Sequence, residues 1–320
     1  MYRLVVLALA AMVIAAVGAG AATAKPRGVN GKIVINGDNN VTGHEQVYTV
    51  NPDGSDLTLL LNDAEAGQWS PDGTRIAMGS ESCSGGGVFY FDAGTCNSLN
   101  LSTQYPNLFL GCGTWSPDGT RLACEGGFID PALQGVYTVR SADGGDLQQV
   151  TSDPGGDDFQ GDYSPNGKQL VFIRANDSVL ALFTVKLDGS GLRQITPNGM
   201  ALNFNGGSWS PQGNEILFSA HVPDFSYRST TWVVHSDGTG LHEIPIPGCG
   251  GLISDANSIS CPNPSWSPDG TKIVFSRFTA ATGQRDIYTV NLDGSDLTQV
   301  TNTPDVDEFT ADWGTHPVTP

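Results

Sequence analysis

The sequence predicts an all-β fold: a six-bladed β-propeller of four-stranded blades, closed by a C-terminal inner strand that joins three N-terminal strands. Three observations carry this reading. The 320 residues include 41 Gly and 19 Pro, which leaves little room for long helices. One motif recurs along the chain, as Gln68-Trp69-Ser70-Pro71-Asp72-Gly73, Thr114-Trp115-Ser116-Pro117-Asp118-Gly119, Asp162-Tyr163-Ser164-Pro165-Asn166-Gly167, Ser208-Trp209-Ser210-Pro211-Gln212-Gly213 and Ser265-Trp266-Ser267-Pro268-Asp269-Gly270, with a degenerate sixth copy at Asp312-Trp313-Gly314-Thr315. Its aromatic residues are spaced by 46, 48, 46, 57 and 47 residues, the period of a propeller blade. The two ends are complementary, because residues 31–62 hold three strands without an aromatic inner one, and the C-terminus holds an aromatic inner strand alone.

Taken in order, residues 1–24 read as a secretory signal peptide: Arg3, an apolar run from Leu4 to Val17, and the small-residue pattern Ala22-Thr23-Ala24 before Lys25. The run is too short to span a bilayer, so the expected product is a single propeller domain over 25–320, secreted or periplasmic. Residues 32–35, 46–50 and 57–61 follow as strands B, C and D of the closing blade. In each later copy Ser-Pro-Asp-Gly forms the turn from strand A to strand B: Pro presets φ, Asp bonds nearby backbone and Gly takes the left-handed conformation. Strand B is then a short apolar run at 75–78, 121–124, 169–173, 215–218 and 272–275, and strand C lies at 88–91, 136–139, 182–185, 231–234 and 287–290. Asp-Gly turns at 143–144, 188–189, 237–238 and 293–294 lead into strand D. The recurring aromatic is expected to pack between blades.

These repeats, and the stretch Ile-Tyr-Thr-Val-Asn-Leu-Asp-Gly-Ser-Asp-Leu-Thr at 287–298, resemble those of TolB-type six-bladed propellers, over roughly 31–316. The resemblance implies the fold. TolB itself carries an additional α/β domain before its propeller, and only about six residues separate the predicted cleavage site from the first strand here, so the Tol role does not transfer. Related repeats also occur in prolyl-oligopeptidase-type enzymes, whose hydrolase domain has no counterpart in this sequence.

Six cysteines in an exported chain read as disulfides. Cys112 and Cys124 flank a hairpin symmetrically, and Cys249 and Cys261 bracket one long loop. Cys83 and Cys96 pair by elimination, although a regular strand C would hold them roughly 17 Å apart, so Cys83 joined to Cys112 or Cys124 stays open.

The formal charge of −18, or −19 without Arg3, excludes nucleic acid as a partner, and no further segment suits membrane insertion. No cofactor is expected and no metal site is assigned. His44 and His221, in B-to-C loops of one face, are the only histidine pair worth keeping for a metal. There is no nucleophile elbow or phosphate loop. The candidate binding face collects Asp157, Asp158 and Asp162 before one aromatic, Asp307, Glu308 and Asp312 before another three repeats away, and Phe225, Tyr227 and Arg228 in the loop 221–228. The acidic residues would bind a cation or cationic partner, or tie down loop N–H groups; the second reading is preferred. The insertion at 245–264 lies on the same face. The expected function is an exported, non-catalytic scaffold for a protein or small ligand. The alternative is a propeller enzyme such as a metal-assisted polysaccharide lyase or hydrolase.

Overall fold

A computed structural model describes residues 28–79, 83, 86–127, 130–153, 155–177, 179–222, 224–279 and 283–319, so the signal-like segment 1–24 and Pro223 lie outside the described residues. Six antiparallel sheets form six blades. Blade 1 joins the two ends, with Val306–Trp313 as inner strand beside Ile33–Asn39, Glu45–Val50 and Thr58–Asn62. Blade 2 begins at Ala66–Trp69, blade 3 at Phe109–Trp115 and blade 4 at Gly156–Tyr163. The inner strands of blades 5 and 6 are broken, into Ala201–Leu202 with Ser208–Trp209 and Ile259–Ser260 with Ser265–Trp266. The sequence predicts a single inner strand, carrying the aromatic residue, in each of these blades. Gly206 and Gly207, and Pro262 and Pro264 with their missing N–H groups, interrupt the ladders. A short helix, Leu101–Gln104, between blades 2 and 3 is also not foreseen.

The repeated turn explains its own residues. In blade 3 the Asp118 carboxylate accepts from the Ser116 hydroxyl, the Thr120 N–H and the Thr120 hydroxyl, while Ser116 Oγ accepts from the Arg121 N–H. Gly119 sits at φ 69°, where a side chain would be strained. Strand B then runs on as Arg121–Gly127, three residues longer than its apolar run.

The six repeated aromatics are all buried, Trp69, Trp115, Tyr163, Trp209, Trp266 and Trp313 among them being 1–4% exposed. Each lies where two blades meet. Tyr163, Leu170 and Phe172 of blade 4 pack on Ala123 and Val136 of blade 3, and Trp313 and Ile33 of blade 1 pack on Val274 and Ile287 of blade 6. Outer strands are very short, as in Gln148–Gln149 and Thr298–Gln299, which limits the edge open to pairing.

Three cysteine pairs stand at disulfide distance. Cys112 and Cys124 are direct cross-strand partners with Cα atoms 3.9 Å apart, and Cys249 and Cys261 are 5.9 Å apart. Cys83 and Cys96 are 5.8 Å apart, which corrects the strand-length argument against them. Cys96 lies opposite Phe89 on the outer strand Thr95–Ser98, and Cys83 rests on Gly87, whose missing side chain leaves the room.

Candidate functional site

In blades 2 to 6 the inner strand runs from one face to the Ser-Pro-x-Gly turn at the other, and in blade 1 it ends there at Trp313, before Gly314. The first face therefore carries the loops into the inner strands together with the B-to-C loops. The inner strands of all six blades surround a cavity of about 250 Å³ on the axis. Its lining is mostly small and neutral: Asn36, Gln68, Thr114, Asn203, Asn263 and Thr310, with glycines between. Gly67 and Gly113 lie so close that a Cβ on Gly67 would stand 2.4 Å from the Gly113 carbonyl oxygen, so small residues set how tightly the strands converge.

At the first face the axial cavity shares Glu65, Gly67, Gly113 and Asn205 with a second cavity of about 490 Å³. This vestibule is bordered by Phe109, Phe159 and Phe204, and by Glu65 and Glu125. Phe204 is 45% exposed. Its ring meets that of Phe159 at 4.8 Å between centroids. Glu125, opposite Gly111 on the neighbouring strand, is half-buried, and burial, followed by the charges of Glu65 and Asp157, raises its carboxyl to about 7.

The acidic residues singled out in the sequence are not gathered into one site: Asp157, Asp158, Asp307 and Glu308 stand in the first half of their inner strands, and Asp162 and Asp312 stand at the far end, next to the repeated aromatic. Asp162 Oδ2 accepts the Trp209 N–H of the next blade at 3.2 Å. Asp312 accepts the Trp69 N–H at 2.9 Å and the Ser265 hydroxyl at 2.9 Å, linking blade 1 to both neighbours. Asp158 is buried under a bidentate pair with Arg174, both bonds 2.7 Å. Asp157 accepts from Gln134 at 2.6 Å, and Asp307 accepts from the Arg285 N–H and guanidinium. Glu308 is buried beneath the Thr301 and Thr303 hydroxyls, and burial holds its carboxyl up at about 7 despite them.

The loop 221–228 and the insertion form one wall beside blades 5 and 6. Arg228 N–H donates to the Gly251 carbonyl, its guanidinium to Ser258 and the Ile253 carbonyl, and it lies 5.3 Å over the Phe278 ring. Tyr227 bridges to Leu252, and its carbonyl meets His221 Nδ1 at 2.6 Å. Phe225, Leu252 and Ile253 stay exposed on top. His44 pairs instead with Asp63, 2.5 Å away. Among the described residues no group of three or more His, Cys, Asp or Glu side chains is placed to hold a metal ion, and no helix is long and apolar enough to cross a membrane.

Sequence reasoning missed Glu65, Phe109, Glu125 and Phe204. Three of them sit in loops or strand ends that differ from blade to blade. Glu125 left a trace, because the fifth residue of strand B reads Asn36, Gly79, Glu125, Ile173, Ser219 and Ser276 in the six copies, and one charge stands out.

No protein-family profile matches the chain. An uncharacterized protein of Agrobacterium fabrum is 25% identical over 121 residues, which covers 37% of this chain and 39% of that protein. Among solved structures, TolB of Acinetobacter baumannii superposes with a TM-score of 0.68 at 18% identity, over 89% of this chain and 66% of TolB. An oligogalacturonate lyase in complex with manganese superposes with a TM-score of 0.50 at 11% identity, over 85% and 74% of the two chains. The chain thus spans less than two thirds of the TolB chain and under half of the curated relative. At these identities the likenesses concern the fold, which is a TolB-like six-bladed propeller.

Proposed function

We propose that the protein is exported and works as a non-catalytic scaffold, binding a protein or small ligand at the face that carries the axial cavity, the vestibule and the 221–228 and 245–264 wall. One observation carries this reading: a cavity bounded by all six inner strands opens at that face into a vestibule bordered by exposed aromatic rings. Concave, partly apolar sites with few polar groups are where rigid scaffolds hold ligands. The carboxylates of Asp158 and Glu308 are buried with their own partners, and those of Asp162 and Asp312 accept hydrogen bonds from neighbouring blades, Asp312 at the wall of the axial cavity. Three cysteine pairs at disulfide distance suit an oxidising compartment, in keeping with export.

The test is a comparison of captured partners. Immobilised mature protein is exposed to extracellular and periplasmic extracts beside Phe204→Glu, which alters the vestibule rim, and Gln212→Ala, which alters a turn on the opposite face. Loss of a saturable partner in Phe204→Glu alone is the expected result. A partner retained by Phe204→Glu and lost by Gln212→Ala would place binding on the other face, and turnover of an exported polysaccharide by the purified protein would replace the scaffold reading with an enzymatic one.

A further inference from the structure

We propose that the vestibule formed by blades 2 to 5 is a receptor for a cationic group, an ammonium or guanidinium carried by the ligand or partner. This deepens the reading of the first face as a binding surface and rests on it. The cavity of about 490 Å³ is in the size range of small-molecule sites. Its walls combine two chemistries. Phe109, Phe159 and Phe204 come from blades 3, 4 and the start of blade 5, and ring faces attract a cation through their quadrupoles. Glu65 and Glu125 come from adjacent blades 2 and 3 and supply the opposite charge.

No Lys, Arg or His among the described residues lines this cavity. Elsewhere the chain assembles the same combination from its own side chains. Arg75 lies 4.6 Å over Trp115 and pairs with Asp72, Arg174 lies 5.5 Å over Phe172 and pairs with Asp158, and Arg285 lies 5.4 Å over Phe309 and pairs with Asp307. In those three places ring and carboxylate hold a guanidinium. In the vestibule rings and carboxylates line one cavity. Burial first, and the neighbouring charges of Glu65 and Asp157 after it, make Glu125 hold its proton to about 7, and a cation beside it offsets both. The formal charge of −18 draws cations towards the molecule without selecting a place, so the rings must provide the selection.

The probes are tetramethylammonium and Nα-acetyl-lysine methylamide, with tert-butanol as neutral control, titrated into the mature protein at pH 8 and constant ionic strength by calorimetry. The cations should bind saturably at one site, and tert-butanol should not. Glu125→Gln and Phe204→Ala should each weaken binding about tenfold, the equivalent of one lost charge or ring contact, while Gln212→Ala leaves it unchanged. Melting curves verify that each variant is folded, and Phe204, exposed at the rim, can be truncated without opening the core. Lowering the pH from 8 to 6 should weaken cation binding in the wild type and much less in Glu125→Gln; Glu65 and Asp157 are the other titratable groups acting on Glu125. Non-saturable binding, equal affinity for tert-butanol, or indifference to both vestibule variants would overturn the proposal. If Phe204→Glu abolishes partner capture while the cations fail to bind, the cationic chemistry is refuted and the binding face stands.

Discussion

Asp158 and Glu308 occupy matching places in the acidic segments of blades 4 and 1, and the strand beside each decides its chemistry. Arg174 stands opposite Asp158, whereas Gly37 stands opposite Glu308, at a position where a Cβ would approach Val306 to 2.5 Å. One carboxylate is therefore ion-paired and the other is sheltered by two hydroxyls. Removing one partner of a buried pair leaves a charge without compensation, so Asp158→Asn should destabilise the fold by about 3–5 kcal/mol at neutral pH. Glu308 should behave in the opposite way. Its folded value of about 7 lies above the ordinary 4.5, so its stabilising contribution is full below 4.5 and is lost as the pH rises through 7. The loss amounts to at most about 3 kcal/mol. Denaturant unfolding at pH 5 and pH 8 should show Glu308→Gln less sensitive to pH than the wild type, and stabilised relative to it at pH 8. Parallel pH profiles for the two proteins would contradict the neutral, buried state of this carboxyl.

Along the blades, one device recurs and then lapses. The first residue of strand B pairs with an Asp at the start of the outer strand in blades 1, 3 and 6, as Lys32–Asp56, Arg121–Asp146 and Lys272–Asp296. Each of these Asp residues has a φ of 53–54°, a left-handed conformation that Asp tolerates better than most side chains. Blades 4 and 5 have lost both partners together, with Gln169 and Gly191 in one and Glu215 and Gly240 in the other. In blade 4 the result is a cavity of about 360 Å³ lined by Gln169, Thr184, Gly191 and Trp209. In blade 3 Arg121 bonds Thr138, the counterpart of Thr184, and fills the equivalent place. The double substitution Gln169→Arg with Gly191→Asp should restore the pair, adding about 1 kcal/mol, while Gly191→Asp alone should add nothing. Thermal melts of the three proteins decide it, and equal melting of double and single variants would show that the pair does not form. The blade pattern was legible because Pro, Asp and Gly each have one mechanical task in the Ser-Pro-Asp-Gly turn, and five copies repeat it, with Asn166 and Gln212 in place of Asp in two of them. The vestibule was not, because Glu65, Phe109 and Phe204 occur once each and come together only through ring closure. The broken inner strands were hidden for a related reason: Gly206-Gly207 and Pro262 to Pro264 read as loop residues, yet they lie between two pieces of strand on the same sheet.

For the whole ring, the closing strand is the joint on which the other five blades depend. Val306–Trp313 pairs along Ile33–Asn39, Trp313 Nε1 donates to the Gly31 carbonyl, and Trp313 packs against Val274 and Ile287 of blade 6. Asp312 ties this strand to Trp69 on one side and Ser265 on the other, and beyond it His316 stacks on the Trp69 ring at 5.3 Å with the planes 11° apart. A chain ending at Asp307 would lose the Trp313 side chain, worth about 3–5 kcal/mol by itself, and would leave Ile33–Asn39 as an open edge able to pair with a second molecule. Such a chain should be insoluble or unfold far below the full-length mature protein. Because truncation removes many groups at once, Asp312→Ala provides the finer measurement. It keeps the strand and the tryptophan but leaves the buried Trp69 N–H without its acceptor, which should cost about 1–3 kcal/mol. Calorimetry of both variants tests the joint directly. If the truncated chain melts with the full-length protein, the ring does not depend on this strand, whereas if only Asp312→Ala matches the wild type, closure rests on the strand pairing and Trp313 and not on the carboxylate that links the three blades.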